Sequence, residues 1–276
     1  MDTLRGLVEL TRPGNTIAAG VLTLIGAYIA GGISTLPLHA GLAAGATIFA
    51  ASGGNAINDY FDREIDSINA PDRPIPRGAV SPRGALVFSI ACFIIAVVLA
   101  LTLPLLAIGI AAINLFALVT YTEFFKGLPG VGNVVVACLG GSTFLFGGAA
   151  VVSKDLTAVG TLAVLAALST LTREIIKDVE DIVGDRKEGL NTLPIAIGEQ
   201  SAIYIALACI VVAVLASPLP YILGTFDVAY LVVVIPADLI MLAATIESMR
   251  DPTAAQSHIK YGMFLAAAAF IVGRAF

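Results

Sequence analysis

Charge is what this chain has least of. Asp, Glu, Lys and Arg make up 13% of it, about half the roughly 25% of an ordinary soluble domain. Hydrophobic residues make up 58%, and the mean hydropathy is +0.95. Such a composition excludes a water-soluble globule. Trp is absent, which removes the strongest marker of an interfacial aromatic belt. The two His, His39 and His258, belong to no motif, so imidazole acid–base chemistry has no evident seat and both read as structural. Cys92, Cys138 and Cys209 each sit inside an apolar run without metal-ligand spacing. They read as small core residues, and no disulfide is expected. Asp2, Arg5, Glu9 and Arg12 give the N-terminus a charge pattern unlike a cleavable signal, so the first apolar run is expected to be retained.

What is present instead is a series of apolar runs of about 20 residues, each able to cross a hydrocarbon core roughly 30 Å thick. Only helices and closed barrels satisfy their backbone in lipid, and these runs predict an all-α, polytopic membrane protein. Nine spans are expected, at about 14–33, 38–58, 82–103, 105–122, 131–152, 156–176, 201–216, 221–246 and 257–275, with Pro236 interrupting the eighth. With the N-terminus inside, all 15 Lys and Arg except Lys154 and Arg274 fall toward the inner side, as the positive-inside rule requires. The expectation is one transmembrane domain, 1–276, in two hairpin-containing halves of about 1–126 and 127–276. The location expected is the cell membrane, with the N-terminus cytoplasmic. No nucleic-acid partner and no obligatory protein partner is indicated.

Against this background the stretch from Gly53 to Gly78 stands out. Asp59, Asp62, Glu64, Asp66 and Asp72 share it with Arg63, Arg73 and Arg77, a cost in lipid unless the segment faces water. Asn58, Asp62 and Asp66 recur at i, i+4 and i+8, with Asp59 adjacent to Asn58, so on a helix the four oxygen-bearing side chains lie on or near one face. The chain then repeats the spacing: Asp59, Asp62 and Asp66 map onto Asp178, Asp181 and Asp185. One such acidic helix end is usually a solvated cap. Two in register, each ending an apolar run, point to a paired metal–diphosphate site, because Mg²⁺ takes oxygen ligands from one or two carboxylates plus substrate phosphates.

Phosphate oxygens not covered by metal need cations, for which Arg12, Arg63, Arg73, Arg77, Lys126, Arg173 and Lys177 are candidates. Arg63 and Lys177 abut the acidic clusters, and Lys126 follows Tyr121 in a short loop on the same side. The reaction this suits is ionisation of an allylic diphosphate inside an apolar, water-poor cavity. Phe93, Phe116, Phe144 and Phe146 could line such a cavity or simply pack. Asp238 reads as an acceptor for hydrogen bonds freed at Pro236, and Asn114 as interhelical glue. A cation transporter is the rival from another class, but its ionisable groups should lie near mid-bilayer in broken helices. Here the acids sit at helix ends.

Asn58-Asp59-x-x-Asp62-x-x-x-Asp66 with Asp178-x-x-Asp181-x-x-x-Asp185, on a nine-helix frame, resembles the UbiA superfamily of intramembrane prenyltransferases over nearly the whole chain. Within it, several stretches resemble the archaeal digeranylgeranylglyceryl phosphate synthases. They are Leu10-Thr11-Arg12-Pro13-x-Asn15, Arg73-Pro74-Ile75-Pro76, Phe144-x-Phe146-Gly147-Gly148, Arg173 to Asp181, and Ser217-Pro218-Leu219-Pro220-Tyr221. The resemblance implies nine helices around a central cavity open to the cytoplasmic side and the lipid. It implies transfer of a geranylgeranyl group from geranylgeranyl diphosphate to the hydroxyl of geranylgeranylglyceryl phosphate, with membrane lipid as surroundings. Asn58, Asp62, Asp181 and Asp185 would hold Mg²⁺ and be catalytic, with Asp59, Asp66 and Asp178 supporting them at the metal. Arg12, Arg63, Tyr121, Lys126 and Lys177 would contact the substrates. An aromatic acid, a quinone precursor or a porphyrin remains an alternative acceptor.

Overall fold

Proline opens four of the long helices at their first residue, where a missing N–H costs nothing. The computed structural model describes residues 2–120, 128–151, 156–187 and 189–275. Among these the order is α1 Asp2–Thr11, α2 Pro13–Ile29, α3 Pro37–Phe61, α4 Arg63–Asn69, α5 Pro82–Ala100, α6 Leu105–Thr120 and α7 Val131–Ala150. There follow α8 Thr157–Lys187, α9 Leu193–Ile197, α10 Glu199–Ala216, α11 Leu219–Ile222, α12 Val228–Glu247 and α13 Pro252–Ala275. No strand occurs among the described residues. Ser81 caps α5 by accepting the Gly84 N–H at 3.1 Å.

Each of the nine apolar stretches contains one helix of 16 residues or more. Six segments are long and apolar enough to cross a membrane: α3, α5, α7, α8, α10 with α11, and α12. α2 and α6 are apolar but shorter, at 17 and 16 residues, or about 24–26 Å at 1.5 Å per residue. The outward faces are greasy, with Leu105, Phe116, Ile113 and Leu215 all exposed. A soluble protein would not leave so continuous an apolar surface bare, and lipid is its natural solvent. Two helices that hydropathy alone does not announce, α1 and α4, both lie beside the first acidic cluster.

Packing in the bundle uses small residues. α2 and α7 cross so closely that a Cβ on Gly26 would strike the Phe144 carbonyl, and one on Gly147 the Thr23 carbonyl. α2 also meets α3, where Thr23 and Thr47 share a hydrogen bond of 2.8 Å between their hydroxyls. α12 and α13 close the far side around an aromatic group. Tyr230 and Phe270 meet edge to face at 5.1 Å, with Phe226 at 5.3–5.5 Å from both.

Candidate active site

Arg12 begins the construction. It separates α1 from α2 in the left-handed region, at φ 51°, and is the only non-glycine with positive φ among the described residues. Pro13 disfavours the right-handed helical region at its predecessor, and the left-handed conformation Arg12 adopts costs about 1–2 kcal/mol. Two contacts hold it there. The Asn55 amide donates to the Thr11 carbonyl at 2.8 Å, and Arg12 Nη2 donates to Asp59 Oδ1 at 2.6 Å. Below them Leu10, Ala56, Ile75, Val80 and Ala85 form an apolar knot joining α1, α3, loop 70–81 and α5.

The first acidic motif does not lie on one uninterrupted helix. α3 ends at Phe61 and α4 begins at Arg63, with Asp62 between them at φ −80°, ψ 0°. The hydrogen-bond ladder nevertheless runs through, from Asp62 N–H to Asn58 O at 2.9 Å and Asp66 N–H to Asp62 O at 2.8 Å. Asp59 and Asp66 are buried, at 4% and 6% exposure, and arginines hold both. Arg73 Nη1 donates to Asp66 Oδ2 at 2.6 Å and stands 3.7 Å from Asp59 Oδ1. Burial pulls the Arg73 guanidinium down, but the Asp66 hydrogen bond and the charges of Asp66, Asp59 and Asp62 outweigh it and leave its pKa above the ordinary value. Asn58 differs: among the described residues its side-chain oxygen is buried without a hydrogen-bond partner. Such an atom is costly, and it suits a ligand that brings its own positive charge.

The second motif rides on unbroken α8. Asn133, near the start of α7, donates to Asp178 Oδ2 at 2.8 Å. Asp181 is exposed and shows no hydrogen bond or ion pair among the described residues, while Asp185 is half-buried. One and two turns earlier, Lys177 and Arg173 face a cavity that Asn15 also lines. Asn15 lies three residues after Arg12, so the first turn of α2 brings both motifs to one end of the bundle. Among the described residues no three acidic, His or Cys side chains converge into a preformed cage. The donor set is nonetheless all hard oxygen, carboxylates plus the orphaned Asn58 amide oxygen, and fits a divalent cation of the Mg²⁺ type better than a softer metal.

Two cavities lie within the bundle. One, of about 450 Å³, is lined by apolar residues of α3, α5, α6 and α7 with Thr47, Asn114, Thr143 and Thr170. The other, of about 540 Å³, carries Arg173, Glu174, Lys177 and Lys260 together with Asp238 and Ser217. Phe144 lines the second cavity and Phe146 the first; Phe116 is exposed, and Phe93 lies where a Cβ on Gly53 would go.

The structure gives partners to several other residues that the sequence singles out. Arg63 is occupied locally, with Nη1 donating to the Tyr60 carbonyl at 2.9 Å and its guanidinium 4.9 Å over the Tyr60 ring. Asp238 does not serve the Pro236 kink; its Oδ2 accepts from Ser217 Oγ at 2.5 Å. Asn114 lines a cavity instead of bridging helices. His258 pairs with Glu247 at 2.7 Å. Tyr121, Lys126 and Lys154 lie outside the described residues. Asn133, Gln256 and Lys260 were missed, although a lone lysine eight residues into a largely apolar helix is itself a signal.

Comparison with known proteins agrees with this frame. The UbiA prenyltransferase family model matches residues 19–268. The digeranylgeranylglyceryl phosphate synthase of Natronomonas pharaonis is 64% identical over 274 residues, covering 99% of this chain and 98% of the relative. A solved structure described as digeranylgeranylglyceryl phosphate synthase in membranes superposes with a TM-score of 0.87 at 38% identity, covering 99% of both chains. A UbiA homolog from Archaeoglobus fulgidus, solved with GPP and Mg²⁺, shares the fold with a TM-score of 0.71 at 20% identity, covering 98% of this chain and all of that one. The chain belongs to the UbiA prenyltransferase family.

Proposed function

We propose that this intramembrane prenyltransferase moves a geranylgeranyl group from geranylgeranyl diphosphate to the free hydroxyl of geranylgeranylglyceryl phosphate, the second ether-forming step toward an archaeal membrane lipid. The name carried by the 64%-identical relative supports the substrate pair. The geometric observation that carries the chemistry is the buried Asn58 oxygen, unpartnered among the described residues, at the acid-bearing end of α3.

Asn58, Asp62, Asp181 and Asp185 would hold Mg²⁺. When bound, the ion supplies Lewis-acid stabilisation to a departing diphosphate. Arg12 and Arg73 fix Asp59 and Asp66 and with them the turn that presents Asn58 and Asp62, and Asn133 fixes Asp178 in the same way. The apolar cavities keep water from an allylic cation until the acceptor hydroxyl reaches it. Tyr121, Lys126 and Lys177 are proposed to contact the phosphates. We infer a single domain of nine crossings, with the N-terminus and this site cytoplasmic, from the inner bias of Lys and Arg.

The test is transfer by the purified protein in lipid, with labelled geranylgeranyl diphosphate and Mg²⁺. Geranylgeranylglyceryl phosphate and 4-hydroxybenzoate are offered side by side. An EDTA-sensitive diether phosphate is expected. Product from the aromatic acid alone would overturn the acceptor.

A further inference from the structure

The two cavities differ in kind. The first has no charged side chain in its lining. The second has two lysines, an arginine and a glutamate near one end, and mostly apolar walls beyond that carry Asp238 hydrogen-bonded to Ser217. Along α8 its lining runs from Lys177 to Leu162, a depth of about 22 Å at 1.5 Å per residue. The cavities abut at Gly140 of α7 and Thr170 of α8, which line both. A Cβ on Gly140 would lie 3.4 Å from Thr170 Oγ1, so α7 and α8 meet closely at this boundary.

Resting on the ether-lipid reading above, we propose that the two isoprenoid chains of the reaction occupy separate cavities, the donor's in the first and the acceptor's in the second. The acceptor's phosphate is then held by Lys260, Lys177 and Arg173. One observation and one chemical argument support the assignment. A diphosphate shared between the acid motifs must approach α3, and α3 lines the first cavity through Ala46, Thr47, Ala50 and Ala51 but contributes nothing to the second. Ala51 precedes Asn58 by seven residues, about 10 Å along a helix. The acceptor, in turn, is a phosphate monoester with a charge of about −1.5 to −2 at neutral pH and no metal motif of its own, so it needs cations from the protein.

Among the described residues the ammonium groups of Lys177 and Lys260 have no carboxylate within ion-pair distance, and both line the second cavity. Arg173 is held ready beside them: Nη2 donates to Gln256 Oε1 at 3.1 Å and Nη1 to Glu174 Oε1 at 2.7 Å, while its Nε is buried without a partner. Gln256 is thus a positioning residue for the phosphate site. Ordinary lipid phosphate contacts do not need a guanidinium nitrogen buried at the mouth of a cavity.

The experiment uses the full chain in lipid nanodiscs with both substrates varied. Ala112→Phe fills the first cavity and Ala266→Phe the second. Ala112→Phe is expected to shift donor preference from geranylgeranyl toward farnesyl diphosphate about tenfold, a 1.4 kcal/mol difference, with the acceptor's KM unchanged. Ala266→Phe should raise the acceptor's KM and leave donor preference alone. Lys260→Gln should raise the KM for geranylgeranylglyceryl phosphate about tenfold, in line with loss of one charged hydrogen bond, and have no effect with uncharged geranylgeranylglycerol. Lys260→Arg should restore most of the loss.

Exchange of the two cavity phenotypes would overturn the assignment, and either Phe variant altering both substrates would overturn the separation. An equal Lys260→Gln effect on charged and uncharged acceptors would overturn the phosphate site, and that exposed position keeps the test open even if a cavity variant fails to fold. Wild-type protein that prenylates only 4-hydroxybenzoate would instead end the ether-lipid reading, and this inference with it.

Discussion

Asn58 sets stability against function. Its buried oxygen has no partner among the described residues, and an unsatisfied buried polar group costs about 1–3 kcal/mol. Asn58→Leu should therefore abolish prenyl transfer while holding or raising the thermal unfolding midpoint of the metal-free protein in detergent. A clear fall in the midpoint would show that the amide has a structural partner. Asp62→Ala and Asp181→Ala should each remove activity while the protein still inserts and elutes as wild type, and full activity in either would remove the metal–diphosphate account. At this scale the sequence was informative because acids in lipid are costly and their spacing repeats. It could not say which carboxylates arginines would claim. Arg12 and Arg73 reach Asp59 and Asp66 only through a left-handed turn and a folded-back loop, and neither is a local pattern.

Elements meet where side chains are missing. Gly26 and Gly147 let α2 and α7 cross backbone to backbone, and overpacking such a contact costs typically 1–3 kcal/mol. Gly147→Ala should lower the unfolding midpoint and, by moving the start of α2, with Asn15 in its first turn and Arg12 just before it, lower activity as well. An unchanged midpoint would mean the bundle absorbs a methyl there. The glycine and alanine richness of these spans was legible as close packing, but the partners were not, since one small residue looks like another until two helices are side by side. Helices α1 and α4 were unreadable for a related reason. They are 10 and 7 residues long, too short to carry a hydropathy signal, and tertiary contacts around Leu10 and Asp66 stabilise them. Pro236 stays inside α12 where the sequence marked an interruption, and the break comes earlier, between α11 and α12.

On the scale of the whole molecule, the acid motifs gather at one end of a bundle whose flanks are apolar. The inferred nine crossings place the α11–α12 connection outside and the α12–α13 connection inside. With Cys92, Cys138 and Cys209 replaced by Ala, Arg250→Cys should react with an impermeant maleimide only in inside-out vesicles, and Thr225→Cys only in right-side-out ones. Reaction of both from the same side would overturn the crossing count. All-helical architecture was readable from hydropathy because lipid leaves so few alternatives. The division of the interior into two cavities was not, because it depends on how the nine long helices that line them pack together.

The burial of the Asp59 and Asp66 pairs has a consequence for ionic strength. At 1 M salt the screening length falls to about 3 Å, and an ion pair such as Arg5–Glu9, whose arginine side chain is 79% exposed, loses most of its attraction. Asp59, at 5% side-chain exposure, and Asp66, at 8%, are buried on the carboxylate side, with their arginines 39% exposed, so these pairs are screened less than Arg5–Glu9. In concentrated brine the amino-terminal helix would loosen at its outer pairs first, while the first acidic motif kept its shape.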